Sequence, residues 1–428
     1  MAQVDGKKVL VLGAGSAGLA AARTLKSAVR HLPGVEVTLV DRNNYHFVLP
    51  LIYQIVTGSV APSHISFPIR PLFRGALAGK RVRFKEATIL AIDPDARIVS
   101  TDAGDLRYDY LVLAIGSTTN FFGMQDVAEN ALRFKSVEDA IHIHNRIIEN
   151  HEAALWEEDE QRSRQLLTFV VVGGGPTGVE LAASIHDLTA KVLVRDYAAL
   201  ANQGKVILIE AQDKLLSGLK PRAGQMALEG LRSRGVEVML NTKISEVGPE
   251  GVVTADGQSI PTNSVIWVAG IAAPGPVASL PFEKARNGQL VVNEFLEVPG
   301  AQGVYAVGDC AYSLKPDESG PYPPTHQVAI QQGPACAKNI VRSIKGEPRR
   351  PFRYLFKGQM VYMGRNMAVA QLGPVTFGGI AAAMFRRALY TGQILTYLGP
   401  FTAVRSKTSA MLDWLFSYFY NRNVARLE

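Results

Sequence analysis

Lys8–Leu25 reads KVLVLGAGSAGLAAARTL, and Phe169–Ile185 reads FVVVGGGPTGVELAASI. Each stretch opens with a continuous apolar run, passes through closely spaced glycines and ends in a helical pattern rich in alanine and leucine. An uninterrupted apolar run before turn residues suits a strand buried on both faces of a parallel sheet. Each is followed by a second strand pattern that ends in an acid, VEVTLVD up to Asp41 and KVILIE up to Glu210. The strand–turn–helix–strand–acid pattern therefore occurs twice. Two βαβ units of this kind imply two nucleotide-binding domains in an α/β fold.

The glycines have separate tasks. In Gly13, Gly15 and Gly18 the first permits a tight turn, the second lets a pyrophosphate approach the backbone, and the third lets the helix pack close to its strand. Free N–H groups and the dipole at the helix start favour phosphate charge. Asp41 ends the next strand, where a carboxylate can accept from ribose hydroxyls. Gly173, Gly175 and Gly178 repeat the logic with Glu210, which trails Gly175 by 35 residues, against the usual spacing of roughly 20. A longer helix or loop around Leu188–Gln203 must absorb the difference. An acid at the ribose position repels a 2′-phosphate, and no arginine immediately follows Glu210, so NADH is preferred to NADPH. Two such sites in one chain fit electron transfer from a nicotinamide to a flavin held ring to ring.

Length and composition set bounds. The 428 residues suit two or three domains, and 47% hydrophobic with 19% charged residues is globular. A mean hydropathy of +0.08 hints at a membrane-facing surface. The net charge of +7 comes without a basic block or a nucleic-acid-binding signature, so nucleic acid is not an expected partner. Cys310 and Cys336 are the only cysteines, too few for a disulfide framework or a four-cysteine metal site, and no metal is expected. The chain reaches a strand pattern by Lys8, which does not read as a cleaved leader. No stretch has the roughly 18 apolar residues of a spanning helix; the nearest, Ala368–Phe385, is broken by Gln371, Gly373, Pro374 and Thr376.

Between the repeats lie a proline-bearing loop region, Asn43–Phe73, strand patterns in RVRFKEATIL and DYLVLAIGS, and one charged helical segment, Ser136–Arg164. A helix is expected near Gly224–Arg234, and strand ends in SVIWVAGI and GVYAVGDCA.

These residues resemble the two-dinucleotide-binding-domain flavoproteins and, within them, the type II NADH dehydrogenases, single-chain NADH:quinone oxidoreductases. The similarity runs through nearly the whole chain: DRNNYHFVLPLIYQIVTG (Asp41–Gly58), LVLAIGS (Leu111–Ser117), GVYAVGDCA (from Gly303) and, most discriminating, THQVAIQQG (Thr325–Gly333). The last is similar to the family's AQxAxQxG helix beside flavin and quinone, with His326 in place of the first alanine. The resemblance implies FAD contacts from Gly13, Gly15, Ser16, Ala17 and Gly18, from Asp41 and Arg42, from Ala114 and Gly116, and from Gly308, Asp309 and Gln327. It implies NADH contacts from Gly173, Gly175, Pro176, Thr177 and Gly178, and from Glu180, Glu210, Ala269 and Gly270. Four residues carry its catalytic expectations. Gln327 and Gln331 share a helical face at i, i+4 and can donate to a quinone carbonyl. Glu180 would lie near the nicotinamide–flavin junction, or be an ordinary helix-start carboxylate. Lys357 would lie near the flavin ring, or be a solvated lysine. His326 serves quinone protonation, or is a solvated or capping histidine.

The expected fold is α/β, with two Rossmann-like domains for FAD and NADH, the second inserted in the first, plus a C-terminal membrane-associating extension. The boundaries are 1–118 with 296–350 for FAD, 119–295 for NADH, and 351–428 for a membrane-facing or dimerisation region. In that last region Trp414, Phe416, Tyr418, Phe419 and Tyr420 crowd together, with Arg386, Arg387, Arg405, Lys407, Arg422 and Arg426 around them. Aromatics beside cations suit a helix in the lipid interface, and also a dimer or core contact. The implied activity is hydride transfer from NADH to FAD and two electrons onward to ubiquinone or menaquinone, without proton pumping. A peripheral homodimer on the cytoplasmic face of the membrane would carry it out. The rivals are a soluble FAD-dependent NAD(P)H reductase of a small redox protein, a sulfide:quinone oxidoreductase-like enzyme, which needs a reactive cysteine pair, and a redox sensor without turnover.

Overall fold

The computed structural model describes residues 6–74, 81–317, 319–396, 404–419 and 424–426. They divide into two compact units, Met1–Phe47 with Ser66–Thr118 and Ile271–Phe356, and Val48–Ile65 with Thr119–Gly270 and Lys357–Glu428. The first unit is built on a five-stranded parallel sheet in the order Val304–Ala306, Tyr110–Leu113, Lys8–Leu12, Glu36–Asp41, Val82–Glu86. The second has its own, in the order Leu132–Arg133, Val265–Trp267, Thr168–Val172, Lys205–Ile209, Glu237–Met239. Each glycine-bearing strand is the middle one, which explains its unbroken apolar run: Val9–Leu12 and Thr168–Val172 are buried throughout. In open sheets of this kind ligands bind beyond the carboxyl ends of the central strands, where strand order reverses. Both glycine loops leave from that end.

Five helices matter for the site: α1 (Ser16–Ala28), α2 (Pro176–Asp187), α3 (His326–Lys345), α4 (Gly379–Thr396) and α5 (Val404–Phe419). Helix α3 starts where the Thr325 hydroxyl accepts the Val328 N–H and stops at Gly346, whose φ of 70° closes the helix in the left-handed region. The surplus between Gly175 and Glu210 is taken up as expected. Helix α2 runs into a wide turn at Leu188–Val192 and two tight ones at Leu193–Arg195 and Ala198–Leu200.

The charged segment Ser136–Arg164 is two helices rather than one. Ser136 and Asp139 exchange side-chain and backbone hydrogen bonds to start Val137–Leu155, and Asp159 caps a second helix, Glu160–Leu166. The partition into units also differs from the division drawn on sequence. Leu290–Val292 pairs with Ala311–Ser313, so residues from Ile271 belong with the first unit. Segment Val48–Ile65 belongs with the second, where the Val56 carbonyl lies 3.0 Å from His144 Nδ1. From Lys357 the tail joins the second unit through an antiparallel sheet of Gln359–Tyr362, Ala368–Leu372 and Val375–Gly378.

No helix among the described residues is long and apolar enough to cross a membrane. Ile380, Met384, Phe385, Leu412, Leu415 and Phe416 are exposed on α4 and α5. Two of the cations assigned to this surface are not on it: Arg386 is 6% and Lys407 3% exposed. Each lies on a helix face that packs inward. Tyr420 and Arg422 lie outside the described residues, as do the side chains of Tyr418 and Phe419.

Candidate active site

The first glycine loop is shaped by its neighbours at two of its three glycines. A Cβ on Gly13, whose φ is +94°, would stand 2.3 Å from the Ala114 carbonyl oxygen, and one on Gly18 1.8 Å from the Gly13 carbonyl oxygen. A Cβ on Gly15 would meet nothing within 4 Å. The protein's own packing requires the outer glycines; the middle one faces open space. In the second unit the Cβ of Gly173 would come 2.9 Å from the Ala269 nitrogen, that of Gly178 1.8 Å from the Gly173 carbonyl oxygen, and that of Gly175 again meets nothing.

Both acids clamp their loops in the same way. Asp41 accepts the Ala14 N–H at 2.6 Å and the Asn43 N–H at 2.8 Å. Glu210 accepts the Gly174 N–H at 2.5 Å and the Gln212 N–H at 2.8 Å. An ionised carboxylate has about four acceptor positions, so each acid has about two left open. Burial raises the Asp41 pKa against the pull of its backbone donors. Arg42 and Thr177 are exposed, and Pro176 takes the first turn of α2, where a missing N–H costs nothing.

Around the first loop, Ser117 donates to Asp309 at 3.0 Å, and Gln332 accepts the Gly308 N–H at 2.7 Å. Gly333 has a reason the motif alone did not reveal, since a Cβ there would be 2.2 Å from the Ala17 carbonyl oxygen, where α3 crosses α1. His326 is partly buried rather than fully solvated. Its Nδ1 lies 2.7 Å from the Ser16 hydroxyl, and burial lowers its pKa to about 4, so it stands neutral beside the helix start. His46 Nδ1 lies 2.7 Å from the Ala14 carbonyl oxygen, and its pKa is likewise lowered to about 4 by burial.

The two glutamines do lie on one face of α3, but the structure corrects the role expected of Gln331. Its amide nitrogen donates to the carbonyls of Leu355, at 3.0 Å, and Gln327, at 3.2 Å, and its oxygen accepts the Leu355 N–H at 3.0 Å. Both amide hydrogens are engaged, so Gln331 ties down the Tyr354–Phe356 strap and has none left for a quinone. Gln327 accepts a long hydrogen bond, 3.5 Å, from the Tyr354 hydroxyl. Lys357 is exposed. Ala114 is buried and lies against Gly13 and Gly18, while Gly116 and Gly270 turn the chain with φ of 72° and 71°.

Glu180 lies one turn into α2, and its surroundings are not those of an ordinary helix-start carboxylate. Its Oε1 accepts the Tyr362 N–H at 3.1 Å, with Arg386 Nη2 4.0 Å away. Burial, outweighing the arginine, raises its pKa to about 7. The Arg386 guanidinium lies over the rings of Tyr390 (4.5 Å), Tyr362 (5.1 Å) and Tyr53 (5.6 Å) and donates to the Tyr53 hydroxyl. A buried cation among π-faces is stabilised by their quadrupoles. Tyr53, Tyr362, Arg386 and Tyr390 were not singled out as site residues from the sequence. The i, i+4 spacing of Arg386 and Tyr390 was the available signal. Strongly shifted titratable groups are enriched at functional sites, which makes this cluster a candidate.

Cys310 and Cys336 are both buried and free; burial pushes the Cys310 thiol up to about 12 and the Cys336 thiol higher. Neither is a reactive thiolate.

Residues 7–333 match the family model described as pyridine nucleotide-disulphide oxidoreductase. A type II NADH:quinone oxidoreductase of Mycobacterium tuberculosis is 31% identical over 97% of this chain and 89% of its own length. One from Staphylococcus aureus is 30% identical over 91% of this chain and 96% of its own. The structure of NDH2 from Plasmodium falciparum in complex with NADH, at 19% identity, superposes with a TM-score of 0.86 over 98% of this chain and 100% of that one, a likeness of fold. With a family model across three quarters of its length and relatives matched nearly end to end, this chain belongs to the pyridine nucleotide-disulphide oxidoreductases and, among them, to the type II NADH:quinone oxidoreductases.

Proposed function

We propose that the protein takes a hydride from NADH by way of FAD and delivers two electrons to a membrane quinone, ubiquinone or menaquinone, without pumping protons. The observation that carries this reading is the pair of open glycines. Gly15 and Gly175 face space that no protein atom fills, at loops whose other glycines are tightly packed. A backbone kept bare where nothing of the protein touches it suits an approaching pyrophosphate.

The residues fit both nucleotides. Gly15, Ser16 and Ala17 would present backbone N–H groups to the FAD pyrophosphate, with Asp41 on its ribose and Gly116, Gly308, Asp309 and Gln327 toward its other end. Gly175, Pro176 and Thr177 would do the same for NADH, with Glu210 on the ribose and Ala269 and Gly270 beyond. Bound FAD supplies the two-electron carrier that no side chain here provides. Glu180, with its pKa near 7, can hold or release a proton at working pH. Arg386 keeps that carboxyl from rising further and stays charged. Lys357, exposed, would approach the flavin ring only as a charge. The apolar faces of α4 and α5, with Arg387 and Arg405 exposed beside them, suit the cytoplasmic leaflet of a respiratory membrane, and a homodimer is compatible with the same tail.

The test is anaerobic mixing of the purified protein with NADH while flavin absorbance is followed, then addition of a short-chain quinone. Bleaching followed by recovery is the expected result. A protein that holds no flavin, or whose bleached flavin ignores the quinone, defeats the reading.

A further inference from the structure

The second unit contains a chain of hydrogen bonds whose direction is fixed at both ends by groups that can only donate. The Trp414 indole N–H donates to Gln54 Oε1 at 2.6 Å. Because an indole nitrogen cannot accept, the Gln54 amide has one permitted orientation, with Oε1 toward the indole and Nε2 toward the Tyr53 hydroxyl, 3.1 Å away. At the other end Arg386, also donor-only, points Nη2 at the same hydroxyl. The Tyr53 oxygen has two lone pairs, and both are taken. Its own proton must leave in a third direction, and it meets no acceptor among the described residues. Nor is solvent an easy substitute, because Tyr53 is only 4% exposed. Arg386 Nε, buried in the same cluster, has no partner either. A buried donor without an acceptor is costly, so a site that keeps one has an acceptor to offer it to.

We infer that the Tyr53 hydroxyl, aimed by Gln54 and Arg386, is the hydrogen-bond donor to a carbonyl oxygen of the electron-accepting quinone. The inference rests on the function proposed above and names the group that recognises its acceptor. A quinone carbonyl has lone pairs and no hydrogen, which matches a hydroxyl left with a proton and no free lone pair. The ring is held independently of the hydroxyl: it stacks on Tyr362 with centroids 5.3 Å apart and planes 20° apart, and the Arg386 guanidinium covers it. Removing the oxygen alone therefore separates recognition from packing.

The experiment measures NADH oxidation by the flavin-loaded protein with a short-chain quinone and, separately, with ferricyanide, which offers no carbonyl. In Tyr53→Phe the ratio of quinone to ferricyanide turnover should fall about tenfold, the worth of a hydrogen bond of ordinary to good strength, through a raised quinone KM. A ratio equal to wild type overturns the inference, whether both rates hold or both fall together, because a merely structural role moves the two acceptors alike. Should Tyr53→Phe fail to fold, Trp414→Phe replaces it. Losing the indole N–H frees the Gln54 amide to turn, so the same ratio should drop by a smaller factor, about threefold. An unchanged ratio there is equally fatal. If wild-type protein itself cannot pass electrons to quinone, the proposed function has failed; if wild type does and both variants match it, only the assignment of Tyr53 has.

Discussion

The two halves of this chain are one design used twice, and they differ where chemistry would be expected. Both centre a parallel sheet on the glycine-bearing strand, and both clamp the loop with an acid that accepts the N–H after the first glycine and the N–H two residues beyond itself. Counting from the glycine-bearing strand, between the third and fourth strands of each comes a three-stranded antiparallel meander, Ile89–Arg107 in one and Ile244–Pro261 in the other. Even the register break repeats, at Ile89/Ala91 and at Ile244/Glu246. Two residues past the third glycine the likeness ends: the first half has Ala20, the second Glu180. The first loop is backed instead by the neutral imidazoles of His46 and His326. The glycine loops are set by backbone geometry and repeat; at the position that differs, burial raises a carboxyl's pKa to about 7.

The sharpest way to break this comparison is through the glycines. Gly18→Ala and Gly178→Ala put a methyl 1.8 Å from a carbonyl oxygen, so each should cost about 3 kcal/mol or more and reduce soluble yield, as thermal melts would show. Gly15→Ala and Gly175→Ala enter open space and should shift the nucleotide-free protein by no more than about 0.5 kcal/mol. Yet the first should lose flavin and the second should raise the NADH KM while keeping flavin. Full flavin content in Gly15→Ala would falsify the cradle.

The halves should also respond to pH with opposite sign. Glu180 has its folded pKa raised from 4.5 to about 7, so the native state holds a proton that the unfolded state has lost across that window. Its contribution therefore turns against stability as pH rises from 4.5 to 7, reaching about 3 kcal/mol. Glu180→Gln should melt progressively higher than wild type over that range, and a limb near pH 7 in quinone turnover should vanish. Melting curves that stay parallel from pH 4.5 to 8 would refute the assignment.

On the acid side, His46 and His326 have folded pKa values of about 4 against 6.5 unfolded. The unfolded state takes up their protons first, so each withdraws about 2 kcal/mol as pH falls from 7 to 5. His326→Ala, which leaves the Ser16 hydroxyl without this partner, should flatten that acid slope by its share. An unaltered slope would mean that the imidazole is not held neutral.

The smallest effect concerns the clamp. Glu210→Ala strips the Gly174 and Gln212 N–H groups of their acceptor and should cost about 1–2 kcal/mol, since partial exposure lets water replace some of the loss. It should also narrow the preference for NADH over NADPH, measured as a ratio of kcat/KM. A preference that survives intact would place the ribose elsewhere.

Much of this was legible in the amino-acid order because it depends on local rules. The glycine spacing, the buried strands and the terminal acids are all read within about 40 residues, and even the long gap before Glu210 was assignable to Leu188–Gln203. The failures have one cause. Gln331 was assigned to a quinone because two amides shared a helix face, but the carbonyls of Leu355, 24 residues away, and of Gln327 take its two hydrogens. Arg386 was read as an interfacial cation because its neighbours are apolar. Tyr53 and Glu180, distant in sequence, turn that apolar helix face into a buried ionic site.

The order of residues alone determined that the chain makes two nucleotide-binding βαβ units, since periodicity, turn chemistry and helix-start electrostatics act over short distances along the backbone. Tertiary structure alone decided which polar groups face one another. A hydrogen bond or a shifted pKa depends on the few ångströms around a group, and those are filled by segments hundreds of residues apart.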